Sequence, residues 1–153
     1  MENTVEAILN SYKIEKLDMI NKIEESSQIE LMNTFDFDVI YSKDKSIAKA
    51  RLTEYVNLKD IPEQFNITLT IVGLFQLKGV TDNEKKKEAH VCCYDQLFPF
   101  ASQIITQLAT NSGMSGLILK KLPLNPDQIN FGKKDESHHS DKMLEFPTNG
   151  ELS

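Results

Sequence analysis

The sequence predicts an α+β fold in which a four-stranded antiparallel sheet packs on one long helix. Four segments with strand-like apolar patterns follow one another between residues 11 and 77, with short links between them. One long segment with apolar residues at helical spacing comes after them. Because the strands precede the helix instead of alternating with it, we expect an antiparallel sheet with the helix on one face.

The first two strands are predicted over residues 11–23 and 31–41. In the first, apolar residues recur with a period of two that slips once near Lys16, which indicates a β-bulge. In the second, the aromatic and aliphatic residues alternate with polar ones, which is typical of a half-buried strand. Its apolar positions are Phe35, Phe37, Val39 and Tyr41, and its polar ones are Thr34, Asp36 and Asp38.

The third and fourth strands are predicted over residues 47–57 and 65–77. The third alternates again and follows a polar turn at residues 42–45, so it is expected to form a hairpin with the second strand. The fourth is apolar on one face and becomes apolar on both faces near Gly73. Glycine inside a strand indicates a bulge or a close backbone approach.

A helix is predicted over residues 97–109, with Pro99 in its first turn, where proline has no helical hydrogen bond to lose. Gly113 is a typical helix stop, and residues 117–119 are expected to start a short C-terminal helix or an extended segment. From Lys133 the chain is polar, which predicts a disordered tail over 133–153 after one domain over 1–132.

Composition and charge exclude several functional classes. With 23 acidic against 17 basic residues, the net charge of −6 disfavours nucleic acid as a partner. Apolar stretches are shorter than the roughly 20 residues of a membrane span, and no signal peptide is recognised, so we expect no membrane insertion and a cytoplasmic location. The adjacent Cys92 and Cys93 do not suit a disulfide framework and fit a reducing compartment.

Two motifs carry a resemblance to a known family. The strand end GLFQLKG over residues 73–79 and the helix segment LFPFA over 97–101 follow each other in an order that resembles the SecB family of export chaperones. The likeness extends over residues 11–131. It implies an ATP-independent holdase that binds unfolded or precursor proteins, uses no cofactor or metal and is not an enzyme. It also implies a homo-oligomer, either a dimer or a dimer of dimers, with the tetramer preferred.

The resemblance also implies three sets of site residues. A client-binding groove would use Ile23, Ile29, Leu31, Met32, Ile129 and Phe131. An oligomer interface on the long helix would use Leu97, Phe100, Ala101, Ile104, Ile105 and Leu108. In the family, acidic side chains hold the motor ATPase SecA; two of those positions correspond to Asn21 and Thr68, which carry no charge, and Glu24 and Glu25 nearby are the alternatives.

Other interpretations stay open at this stage. The uncharged docking positions suit a SecB-like chaperone dedicated to a toxin–antitoxin pair, and a non-catalytic scaffold for one partner is a further possibility. His90 and Cys93 could form a small catalytic pair, or with Cys92 and Asp95 a metal site, although their spacing argues against zinc. The lysine run at residues 85–87 is expected to be a solvated helix face.

Overall fold

The computed structural model describes residues 4–24, 29–114, 117–125, 136–140 and 144–148, with the backbone alone at residue 29 and in the last two ranges. These residues form the α+β fold expected from the sequence, with four long antiparallel strands and one long helix. The elements are β1 (Glu6–Asn21), β2 (Ile29–Tyr41), β3 (Ile47–Leu58), a 3-10 turn (Pro62–Gln64), β4 (Phe65–Lys78), α1 (Asn83–Asn111), β5 (Glu136–Ser140) and β6 (Leu144–Thr148).

The sheet has the strand order β1-β4-β3-β2, and all of these pairs are antiparallel. The short strands β5 and β6 both pair with the outer edge of β2. The sequence predicts a tail without regular structure from residue 133, whereas these two five-residue segments are strands here. The physical reason is that an edge strand presents unpaired backbone groups to which a following segment can add, whatever its composition.

The two faces of the sheet differ as the alternating patterns predict. Residues that are directly paired in an antiparallel sheet point to the same side, so Phe37, Leu52 and Ile71 share the face that packs on α1. All three are fully buried. The opposite side, called the outer face below, carries the alternate residues, such as Asp38, Arg51 and Val72.

Strand β1 begins at Glu6, five residues before the predicted start. Its register against β4 shifts twice, between Leu9 and Ser11 and between Ile14 and Lys16. The second shift confirms the bulge expected from the phase slip near Lys16. The bulges allow the apolar side chains of a 16-residue strand to stay on the α1 face although the simple alternation is interrupted.

The helix is much longer than predicted, because it begins at Asn83 and not at Leu97. Asp82 is its N-cap, and its side chain accepts a hydrogen bond of 2.8 Å from the backbone N–H of Lys85. Pro99 therefore lies inside the helix and not in its first turn. Pro99 lies on the solvent-exposed side of the helix, where a missing backbone hydrogen bond is tolerated better than on the side that packs against the core.

After the helix, residues 117–125 cross the α1 face of the sheet beside β2 without helix or strand hydrogen bonding. The hydroxyl of Tyr94 donates to the carbonyl of Leu122 at 2.5 Å, and the side chain of Asn33 reaches the carbonyl of Lys120 at 3.5 Å. Ile118 is 59% exposed between two buried leucines, which is the alternation of an extended chain. Of the two options left open by the sequence, these residues take the extended one.

Candidate functional site

An apolar surface runs along the edge of β1 that faces away from β4 and along the adjacent side of α1. Tyr12, Ile14 and Leu17 are paired with β4 residues of the α1 face, yet they are 40–47% exposed. Beside them lie three half-buried helix residues spaced four apart. We call this set the β1–α1 surface, and its residues are Tyr12, Ile14, Leu17, Phe100, Ile104 and Leu108.

Contacts at both ends show that α1 runs along β1 in the same direction. Near the strand start, the side chain of Gln96 donates to the carbonyl of Ala7 at 2.5 Å. Near the strand end, the side chain of Asn21 donates to the carbonyl of Ser112 at 3.0 Å. Between these ties, the rings of Tyr12 and Phe100 lie 4.4 Å apart, centroid to centroid. The surface is therefore continuous over most of the strand's length.

Strand β1 has β4 as its single neighbour in the described part of the chain. Its other edge offers 16 residues of backbone to a further strand, next to exposed aliphatic side chains. Patches of this kind on a monomer usually mark a site of interaction. The sequence pattern already contained the β1 residues, but their exposure follows from the position of β1 at the end of the strand order, which the pattern does not give.

The six helix residues expected at an oligomer interface divide into two groups. Leu97, Ala101 and Ile105 are fully buried against the sheet, so they belong to the core of this chain and offer no surface to a second copy. The reason is that residues four apart share one helix face, and that face is the one turned to the sheet. Phe100, Ile104 and Leu108 lie on the neighbouring face and form the helix part of the β1–α1 surface.

The residues expected in a client groove are only partly described. Leu31 and Met32 are buried, with 0% and 8% exposure, and Leu31 is part of the core. Ile23 is half-buried just after β1. The side chain of Ile29 and all of Ile129 and Phe131 lie outside the described residues. The groove thus stays a prediction, and of its described members Ile23 keeps the most accessible surface.

The positions discussed for a motor ATPase lie near the end of β1 and on β4. Asn21 makes two side-chain hydrogen bonds within the fold: its Oδ1 accepts from the backbone N–H of Ile23 at 3.1 Å, and its Nδ2 donates to the carbonyl of Ser112, the C-cap of α1. Thr68, on the outer face, donates to the side chain of Asn66 at 3.2 Å. Glu24 is exposed, and Glu25 lies outside the described residues. Contact of these glutamates with a motor ATPase stays a prediction.

Cys93 and His90 of the helix are both fully buried. Burial, with a smaller contribution from the neighbouring Cys92, raises the pKa of Cys93, so its thiol is protonated at neutral pH. His90 has no exposed surface, and its ring meets Phe37 edge to face at 4.9 Å. In the described ranges, no group of three or more His, Cys, Asp or Glu residues could hold a metal ion.

One lysine of the run at residues 85–87 is not solvated. Lys86 is 1% exposed, and its ammonium lies 4.8 Å from the centre of the Tyr41 ring. The Tyr41 hydroxyl donates to the carbonyl of Lys86 at 3.2 Å. Burial lowers the pKa of Lys86, and Lys45 lowers it further. Its neighbours Lys85 and Lys87 pair with Glu88 and Glu84 at 3.6 Å on the helix surface.

Comparison with known families decides the affiliation. A family model described as "Preprotein translocase subunit SecB" matches residues 52–133, which include β4, α1 and the extended segment. The chain belongs to the SecB family. This confirms the resemblance drawn from the GLFQLKG and LFPFA motifs. The family and its fold support a chaperone role for the chain.

Two relatives illustrate the extent of the match. The protein-export protein SecB of Brucella canis is 31% identical over 110 residues, which are 72% of this chain and 57% of that protein. The protein-export protein SecB of Orientia tsutsugamushi strain Boryong is 32% identical over 69 residues, or 45% of this chain and 39% of that protein. The matched part thus spans between two fifths and three fifths of the length of these relatives.

A solved structure shares the fold. It is the Mycobacterium tuberculosis Rv1957 SecB-like chaperone in complex with a ChAD peptide from the Rv1956 HigA1 antitoxin. It superposes with a TM-score of 0.59 at 14% identity and covers 76% of this chain and 90% of that one. At this identity the likeness shows the fold alone. Among the described residues, no helix is both long enough and apolar enough to cross a membrane.

Proposed function

We propose that the chain is an ATP-independent holdase that binds unfolded or precursor polypeptides in the cytoplasm for export. The observation that carries the proposal is the match to the translocase subunit SecB over residues 52–133. The exposed apolar surface of the fold supports the holdase proposal. Burial of apolar area is non-directional, so it can bind non-native chains without requiring a particular client sequence. Such binding needs neither a nucleotide nor a catalytic side chain.

We further propose that the β1–α1 surface is covered by a second copy of the chain. Its exposed members are aliphatic or aromatic, and beside them runs a strand edge that pairs with no other strand in the described ranges. A two-fold axis beside β1 would pair the two strand edges and bring the helices of both copies together. A dimer of dimers is our preferred assembly, and clients would then bind to apolar surface that the assembly leaves free.

The holdase proposal is tested by light scattering of an aggregation-prone precursor diluted from denaturant. At molar excess, the purified protein is expected to suppress the scattering without ATP, and a folded protein of similar size and charge is the control. Unchanged scattering at every ratio would contradict the proposal. Release of the precursor to SecA is a separate step, which a calorimetric titration with the C-terminal segment of SecA examines.

A second candidate is a SecB-like chaperone dedicated to one antitoxin. The solved relative in complex with an antitoxin peptide supports it, as do the uncharged side chains at Asn21 and Thr68, which are engaged in hydrogen bonds within the chain. Binding of one antitoxin segment far more tightly than unrelated unfolded chains, together with no heat of binding to the SecA segment, would favour this candidate over export.

A further inference from the structure

The outer face of the sheet, opposite α1, carries exposed side chains on β1, β3 and β4. Near the start of β1 it contains a cleft of about 300 Å³. The floor is apolar, with Val72 buried and Leu74 45% exposed. We call this site the outer cleft, and its outer-face residues are Ser11, Lys13, Lys49, Val72 and Leu74.

Apolar side chains extend the floor of the cleft on both sides. Ile8 of β1 and Ile47 of β3 lie on either side of Gln76, and Ile40 of β2 is next to Lys49. These three isoleucines are 44–55% exposed, whereas the solvated face of an antiparallel sheet usually carries polar residues. The other end of the same face is polar. There the side chains of Thr53, Thr68 and Tyr55 hydrogen-bond to those of Thr70, Asn66 and Asp36, respectively.

The charges at the outer cleft are positive, although the whole chain carries −6. The guanidinium of Arg51 reaches across β4 and donates to both oxygens of Glu15, at 2.8 and 3.1 Å. These hydrogen bonds lower the pKa of Glu15, and the charges of Lys13 and Lys49 lower it further, so both lysines lie near that carboxylate. Neither lysine makes an ion pair or hydrogen bond with any residue that the structure describes.

We propose that the outer cleft binds an acidic polypeptide segment that also carries apolar side chains. Two ammonium groups without an ion-pair partner among the described residues, beside an apolar floor, match a chain in which carboxylates and aliphatic residues are interspersed. A nucleic acid would satisfy the lysines but not the isoleucines and leucine, because its phosphate backbone has no apolar group to place on them. The outer-face residues of the cleft lie on the opposite side of the sheet from the β1–α1 surface, and Tyr12 on β1 borders both sites. The inference goes beyond the proposed function, because that function assigns no ligand to Lys13 or Lys49.

The test uses a labelled twelve-residue peptide of alternating Glu and Leu, titrated with the full chain and followed by fluorescence anisotropy. Reversing both charges in the double variant Lys13→Glu with Lys49→Glu is expected to weaken binding about tenfold. The matched control is Lys43→Glu with Lys120→Glu, which changes the net charge equally at exposed lysines outside the cleft. Leu74→Ser is expected to weaken binding with the charges intact.

Three results would overturn the proposal. These are equal affinity of the cleft variant and the control variant, undiminished binding of a peptide with Gln in place of Glu, and tighter binding of a twelve-nucleotide single-stranded DNA than of the peptide. Circular dichroism spectra and thermal midpoints equal to those of the parent protein show that the variants are folded. The aggregation assay on the cleft variant separates the two proposals, because we expect it to suppress scattering as well as the parent chain does.

Discussion

Gly73 of β4 lies directly beneath Leu97 of α1, so closely that a Cβ atom on Gly73 would be 2.8 Å from Cδ2 of Leu97. The same Cβ would lie 3.0 Å from Cδ1 of Leu9. The two motifs that led to the family, GLFQLKG and LFPFA, therefore meet in space. Glycine is required here by the close approach of the helix, as the strand pattern suggested, and not by its backbone angles.

Gly73→Ala is expected to lower the free energy of unfolding by about 1–3 kcal/mol, because an added methyl group overpacks a filled site. Urea denaturation measures the effect. In a Leu97→Ala background, the same substitution is expected to cost less, since the shortened side chain removes the tightest contact, while those to Leu9 and to the Phe75 ring at 3.1 Å remain. An equal cost in both backgrounds would show that the close approach to Leu97 is not the reason for glycine.

Glu54 is a buried carboxyl between Phe35 and Leu69 in the sheet, and its Oε1 has no hydrogen-bond partner among the described residues. Burial raises the pKa of Glu54 well above its ordinary value of 4.5, so the folded chain keeps a proton that the unfolded chain releases. The contribution of Glu54 to the free energy of unfolding is therefore fully present below pH 4.5 and is lost as the pH rises through the folded-state pKa. The limiting slope is about 1.4 kcal/mol per pH unit.

Glu54→Gln is expected to remove this slope and to raise the thermal midpoint at pH 8 more than at pH 4. Thermal unfolding followed from pH 4 to pH 8 measures the difference. Glu63→Gln, at an exposed position, is the control and should leave the pH dependence of stability as it is. A slope that persists in Glu54→Gln would assign it to another group.

Pro99 lies in the interior of α1 and lacks the N–H that would bond to the carbonyl of Asp95. Pro99→Ala is therefore expected to stabilise the chain, by up to about 3 kcal/mol. Urea denaturation of the variant measures the gain. A loss of stability would indicate that the helix is shaped by the proline to fit its surroundings.

The β1–α1 surface is tested by Phe100→Ser, which removes the ring that stacks on Tyr12. If a second copy covers this surface, the variant should shift to smaller species in sedimentation velocity at equal concentration. Its secondary structure should be retained, because Phe100 is half-buried and not in the fully buried core. Ile118→Ser, at an apolar residue 59% exposed elsewhere, is the control. An unchanged sedimentation coefficient in Phe100→Ser would contradict the interface.

Strand faces were predictable from the sequence because one buried face imposes a strict period of two. The fully buried residues of β2, β3 and β4 are those that the alternation selects, and the bulge near Lys16 was visible as a phase slip. Glu54 lies between Leu52 and Val56 in the alternation of β3, so the period of two places it on the buried face. Its charge, however, argued for exposure.

The first half of α1 was not predictable in the same way. Residues 83–96 are rich in charged side chains, which gave them no clear apolar period. Pro99 suggested the start of a helix, whereas it lies in the helix interior. Tertiary packing overrides both signals, and it also buries Lys86 beneath the ring of Tyr41. The partition of the helix between core and β1–α1 surface depends on how α1 is placed along β1, which is set by contacts distant in sequence such as Gln96 with Ala7.

The proposed holdase function rests on binding of non-native polypeptides by burial of apolar surface. Isothermal titration calorimetry with a permanently unfolded precursor, at several temperatures and without nucleotide, measures this binding. We expect saturable binding with a negative heat-capacity change, the mark of apolar burial, and no binding of the same protein when folded. Absence of binding to the unfolded form, or equal binding to the folded form, would overturn the proposed function.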